Sequence, residues 1–156
     1  MKYSQKHKIV IGRKDIADFP DIGFNQVEVK VDTGAYTSSI HCGFIKVKDD
    51  GLLYCSFLDD KHPEYSDDIH VFKNFKTIRV KSSNGIAQNR YEIKSAIRLF
   101  GKSYSISLSL SDRKDMKFPV LLGRKFLNPK FVVDPSLTDL SHKNEIYEYQ
   151  NIIKKS

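Results

Sequence analysis

The chain has 156 residues, is 40% hydrophobic with ten Phe and eight Tyr, and carries a formal net charge of +7. That size and apolar content suit one domain over 1–156 with a genuine core, and exclude a disordered chain. No apolar run approaches the ~18 residues of a spanning helix, and the stretch Met1 to Lys8 has no secretory apolar segment, so a cytoplasmic protein without a membrane partner is expected.

Short strands dominate the chain. Lys8-Ile9-Val10-Ile11-Gly12 reads as a first strand ending at glycine, and Phe19 to Gly23 as a loop around Pro20. Gln26-Val27-Glu28-Val29-Lys30-Val31 alternates polar and β-branched residues, the pattern of a half-buried strand, and leads directly into Asp32. Ile40 to Tyr54 holds another strand and a turn at Asp49-Asp50-Gly51; Leu58 to Asn74, acidic and His-bearing around Pro63, reads as a loop or insertion. Lys76–Lys81 and Asn89–Lys94 flank Ser82-Ser83-Asn84-Gly85, and Asn-Gly between alternating strands predicts a hairpin with a type I′ turn. A second hairpin of the same kind is expected around Gly101-Lys102. Phe118–Gly123 suits a buried strand, Arg124–Leu127 a helical turn stopped before Asn128-Pro129, and Phe131–Pro135 a last strand. The core is placed at about 8–136. Beyond it, 137–156 is a short packed helix or a tail, with Ile146, Tyr149 and Ile153 at helical spacing.

The positive charge implies attraction to something acidic: nucleic acid, an acidic peptide or a ribosomal neighbour. The basic residues are spread along the chain, with no Arg-rich block. Cys42 and Cys55 are expected as free thiols in a reducing compartment.

Asp32-Thr33-Gly34-Ala35 follows a strand, which is where a carboxylate can project from a rigid element into a cleft. Glycine permits a tight turn and the neighbouring hydroxyl can hold it. Two such carboxylates brought together share one proton; the ionised one activates a water for attack on an amide, and the protonated one polarises the carbonyl. The tripeptide alone is often a plain turn. It gains weight from Val120-Leu121-Leu122-Gly123-Arg124 far downstream.

Those two elements together resemble the retropepsin-like aspartic proteases. The stretches Lys30–His41, Asp112–Arg124 and Val133-Asp134-Pro135 are similar to a bacterial and archaeal branch labelled ATP-dependent zinc protease and associated with ribosomal-protein modification. The resemblance runs from about Ile9 to Pro135. It implies an all-β acid-protease barrel with one or two short helices, and, with a single Asp-Thr-Gly, a homodimer donating one Asp32 from each subunit. It implies Asp32 as the catalytic residue, Thr33, Gly34 and Ala35 as its turn, and Leu122, Gly123 and Arg124 as support or substrate contacts. The Asn84-Gly85 hairpin is either a flap over the cleft or a plain surface hairpin. Some members of the branch accompany an ATP-grasp ligase that adds glutamates to a ribosomal protein, which implies a poly-glutamate-tailed substrate.

Two features depart from that pattern. The residue four after the catalytic Asp is acidic in viral retropepsins and pairs with the Arg after Leu-Gly; here it is Tyr36, leaving Arg124 to Asp112, Asp115, Asp134 or an acidic substrate. The long spacing between the motifs points to an insertion in Phe44 to Asn74. No His-Glu-x-x-His, Walker or dinucleotide motif is present, so no metal or cofactor is expected, and His41 and Cys42 are expected to pack beside the Asp32 turn. The sequence therefore supports an aspartic endopeptidase, with a non-catalytic module for acidic peptides or a ribosomal partner, and nucleic-acid binding, as the competing readings.

Overall fold

The computed structural model describes residues 8–81, 84–113 and 116–154. The N-terminal stretch up to residue 7, Ser82-Ser83 of the predicted hairpin and Asp115 as a partner for Arg124 lie outside the described residues.

Alternation drives the strands. In β3 (Phe24–Val31), Val27, Val29 and Val31 point into the core while Glu28 and Lys30 face out, each buried valine being worth roughly 1.5–3 kcal/mol over exposure. β8 (Ala87–Leu99) buries Ile93, Ile97 and Leu99, and β9 (Lys102–Ser111) buries Ile106, Leu108 and Leu110 between alternating serines. β2 (Lys14–Phe19) escaped the sequence pattern because one of its inward positions is Asp15.

β10 (Val120–Leu122) runs parallel to β3 and antiparallel to β4 (Ser38–Val47), so it is inserted between the two strands that flank Asp32-Thr33-Gly34. With that insertion the order β10-β3-β2-β8-β9-β4 returns to β10 and closes a six-stranded barrel, confirming the β-rich acid-protease architecture. β1 (Ile9–Ile11) and β11 (Phe131–Val133) form a separate parallel pair beside it. The outer half of β4 continues into β5 (Leu53–Phe57) and β6 (His70–Phe72), an extension within the 44–74 region. The stretch read as loop thus contains one strand, anchored by the edge-on contact of Phe72 with Phe57.

The second expected hairpin is present, its turn one residue earlier than expected, whereas the first differs from expectation. β7 (Lys76–Lys81) pairs with β8 up to Lys81 opposite Ala87, a register that does not fit a two-residue turn at Asn84-Gly85; Gly85 has positive φ. Asn84 instead accepts the Ile86 N–H through Oδ1. The two-residue type I′ turn lies at Phe100-Gly101, with φ of 52° and 69° and Leu99 paired to Lys102. Phe100 tolerates that conformation because its N–H donates to Ser141 Oγ at 2.8 Å and its ring packs on Phe131.

The C-terminal segment is a helix. α1 (Arg124–Leu127) is a single turn and α2 spans Leu140–Lys154. Buried Asp15 accepts the Ser141 and His142 N–H groups of the first turn of α2 at 2.9 and 3.2 Å, satisfying donors that every helix start leaves open.

Candidate active site

Asp32 stands where β3 ends against β10. Its N–H donates to Leu122 O at 2.9 Å, its carbonyl accepts the Ala35 N–H at 3.2 Å, and its Oδ1 accepts the Gly34 N–H at 3.1 Å. The carboxylate therefore holds its own turn as an Asx-type bend. Among the described hydrogen bonds the hydroxyl that takes part is that of Ser38, not Thr33: Ser38 Oγ accepts the Gly123 N–H at 3.0 Å. Gly34 is not in the left-handed region, so φ is not what requires glycine there. The sterically required glycine is Gly123, where a Cβ would come within 2.6 Å of Tyr36 O and 2.7 Å of Thr37 C and O.

Arg124 is tied to this turn twice. Its backbone N–H donates to Ala35 O and its guanidinium donates to Thr33 O, both at 2.9 Å, while the cation lies 5.9 Å from the Tyr36 ring centroid. This corrects the expected partners: among the described residues Arg124 meets a carbonyl and an aromatic face, and neither Asp112 nor Asp134. Tyr36 thus supplies a π-face at the position where the viral retropepsin pattern has an acidic residue.

Asp32, Gly34 and Ala35 open into a cleft of about 440 Å³ whose other walls include Thr37, Ser39, Ser111 and Leu121. The β7–β8 hairpin contributes Val80, Lys81 and Arg90 to the same cleft. Its arms reach the cleft, whereas Asn84 and Gly85 at its end are not among the lining residues. Leu122 and Gly123 are buried behind the turn. Lys81, Arg90 and Arg113 place three cations around one carboxylate. Burial, reinforced by the charge of Arg113, pushes the Arg90 guanidinium below its ordinary value. These cations were missed in the sequence: the pairing of β7, β8 and β9 gathers them, and only the fold as a whole sets them opposite Asp32.

His41 and Cys42 do not pack at the turn. The His41 N–H donates to Pro119 O at 2.8 Å and its Nε2 lies 3.4 Å from Asp59 Oδ2, in a separate recess with Lys61 and His62. Cys42 is buried against Cys55, both free, and burial raises the Cys42 thiol well above its ordinary value. Among the described residues no three His, Cys, Asp or Glu side chains converge as ligands for a metal, and no helix is long and apolar enough to cross a membrane.

Comparison with known proteins agrees with this geometry. Residues 10–144 match the model of the RimB-like family, described as retropepsin-like aspartic endopeptidase RimB. The chain is 37% identical over 135 residues to a protein of Shewanella pealeana named "Probable alpha-L-glutamate ligase", covering 83% of this chain and 29% of that one. A Desulfotalea psychrophila protein of the same name is 33% identical with the same coverage. The chain thus spans less than a third of the length of the curated relatives it matches. A crystal structure of Lpg0085 from Legionella pneumophila, a protein described as of unknown function, superposes with a TM-score of 0.61 at 25% identity, covering 85% of this chain and 97% of that one. The strand-borne Asp-Thr-Gly, the inserted β10 and the family match over nearly the whole barrel give one conclusion: this chain belongs to the RimB-like family of retropepsin-like proteins.

Proposed function

We propose that this chain is one subunit of a homodimeric aspartic endopeptidase that hydrolyses amide bonds in glutamate-rich peptide segments. The observation that carries the reading is the position of Asp32, on a turn locked by β10 and Arg124 and opening into a cleft that holds no other carboxylate among its described lining residues. A single carboxylate cannot run two-carboxylate chemistry, so a second copy supplies the other. Two Asp32 side chains about 3 Å apart share one proton. The ionised member takes a proton from water, the resulting oxygen attacks the amide carbon, and the protonated member donates to the carbonyl oxygen. Collapse of the tetrahedral species breaks the C–N bond, and a carboxyl proton passes to the leaving nitrogen.

Lys81, Arg90 and Arg113 favour an acidic chain in the cleft. The relatives carry a glutamate-ligase name on chains of which the matched part is 29%. In our reading this protein acts beside an ATP-grasp ligase, on the kind of glutamate tail such a ligase builds.

The test is mass spectrometry of a glutamate-tailed peptide incubated with the wild type and with Asp32→Asn. The wild type is expected to shorten the peptide, and the variant to lose activity by a factor on the order of 10³ or more while still binding it. Full activity in Asp32→Asn removes that residue from the chemistry. Tight binding by a wild type that never cleaves favours the second reading, a non-catalytic module for acidic peptides, which the lone carboxylate in the cleft also suits.

A further inference from the structure

A basic double recess lies on the barrel wall, apart from the Asp32 cleft. One part, of about 680 Å³, is lined by Phe72, Lys73, Phe75, Lys76, Glu92 and Lys94. The other, of about 240 Å³, takes in Lys94 again, with Ser105, Ser107, Lys125 and Lys130. Five lysines face one carboxylate, and that carboxylate is already engaged: Glu92 is buried with its Oε1 4.0 Å from Lys125 Nζ. Lys130 is held in place by Phe126, whose carbonyl accepts from its Nζ at 2.5 Å and whose ring centroid lies 4.7 Å from it.

No residue of the double recess lines the Asp32 cleft, yet the same two strands wall both. On β8, Arg90 lies in the cleft and Glu92 and Lys94 in the recess, at alternate positions on one face. On β9, Ser111 lies in the cleft and Ser107 and Ser105 in the recess, with Ser107 paired to Lys94. A strand advances about 3.3 Å per residue, so Arg90 and Lys94 are separated by roughly 13 Å. An extended peptide bridges that span in about four residues. Lysines on flexible stems, interleaved with hydroxyls, suit carboxylates whose positions vary along a chain better than a fixed Arg fork does.

We infer that this double recess is an exosite for the distal part of an acidic peptide, gripping carboxylates about four or more residues away from the bond held at Asp32. The inference rests on the peptidase reading for its substrate class, but its test does not depend on cleavage. The Asp32→Asn protein serves as a non-hydrolysing host, and its affinities for fluorescent three-glutamate and ten-glutamate peptides are compared at fixed low salt.

The longer peptide is expected to bind at least about tenfold more tightly, because its distal carboxylates engage a second site at high effective concentration. The triple variant Lys73→Gln, Lys76→Gln, Lys94→Gln, changed only at exposed positions, is expected to bring the longer peptide to within about twofold of the shorter one and to leave the shorter one unmoved. Equal affinities for the two lengths overturn the exosite, as does a triple variant that binds the longer peptide as the parent does. A single-stranded oligonucleotide of equal charge that binds more tightly than the ten-glutamate peptide, and loses that binding in the triple variant, overturns the assignment to peptide in favour of nucleic acid. Length-dependent binding without wild-type hydrolysis supports the exosite while sinking the peptidase reading; hydrolysis without length dependence does the reverse.

Discussion

Gly123 and Gly34 look alike in the motifs and differ in what surrounds them. A side chain at Gly123 would strike the backbone of Tyr36 and Thr37, atoms that cannot rotate away, whereas one at Gly34 would meet only Asp32 Oδ1 at 3.4 Å. Gly123→Ala is therefore expected to lower stability by roughly 1–3 kcal/mol in urea unfolding, with Gly34→Ala costing distinctly less; equal losses would contradict the close approach of β10 to the turn. Asp32 and Arg124 were legible in the sequence because each sits in a short, ordered motif. The partners of Arg124 were not, since a carbonyl oxygen and the face of Tyr36 leave no mark in residue spelling. The hydroxyl of Ser38 was equally hidden, because its role is to receive an N–H 85 residues away.

At the scale of elements, α2 is held to the barrel by Asp15, which accepts N–H groups from Ile16, Ser141 and His142. Burial raises its pKa above the ordinary 3.8 and outweighs those three bonds, which pull it down; the nearby charge of Asp139 adds to the rise. A carboxyl raised in the folded state binds its proton more tightly there than when unfolded. Its contribution to stability is full below pH 3.8 and is lost as pH climbs through the raised value. The stability of the wild type relative to Asp15→Asn is thus expected to shrink across the window just above pH 3.8, measured by denaturant unfolding at a series of pH values. A difference that stays flat would show that Asp15 does not titrate in this way. Lys14, Asp139, His142 and Glu145 are the charged or titratable groups near Asp15, and they are the same in both proteins. The strands around Asp32 could be read because valines alternate with charges. β2 could not, because Asp15 breaks its apolar face. Asn84-Gly85 misled for a related reason: Asn-Gly favours a tight turn, but the register of β7 on β8 does not fit a two-residue turn there, while packing on Phe131 pins the tight turn at Phe100-Gly101.

For the whole molecule, the proposed chemistry needs two copies of one carboxylate. If subunits exchange freely, an equal mixture of wild type and Asp32→Asn is expected to retain about a quarter of the wild-type activity, since only wild-type pairs hold two carboxylates. Retention of about half at the same total concentration would mean that each subunit acts alone. The all-β class and the barrel were legible from patterning and motifs; the cations at the cleft were not, because the register of β7 on β8 and of β8 on β9 decides that Lys81, Arg90 and Arg113 share one end of those strands.

Closure of the barrel has a consequence for how the protein is made. Thr33 and Arg124 lie 91 residues apart, and β10 must enter between β3 and β4 before the turn is locked. A chain emerging from the ribosome carries Asp32 long before it carries the strand that fixes it, so the site is one of the last parts to assemble. Such non-local pairing slows folding and leaves strand edges open in the interval. The carboxylate turn is written about ninety residues before the strand that fixes it, which keeps the nascent domain inert until β10 has been made and paired.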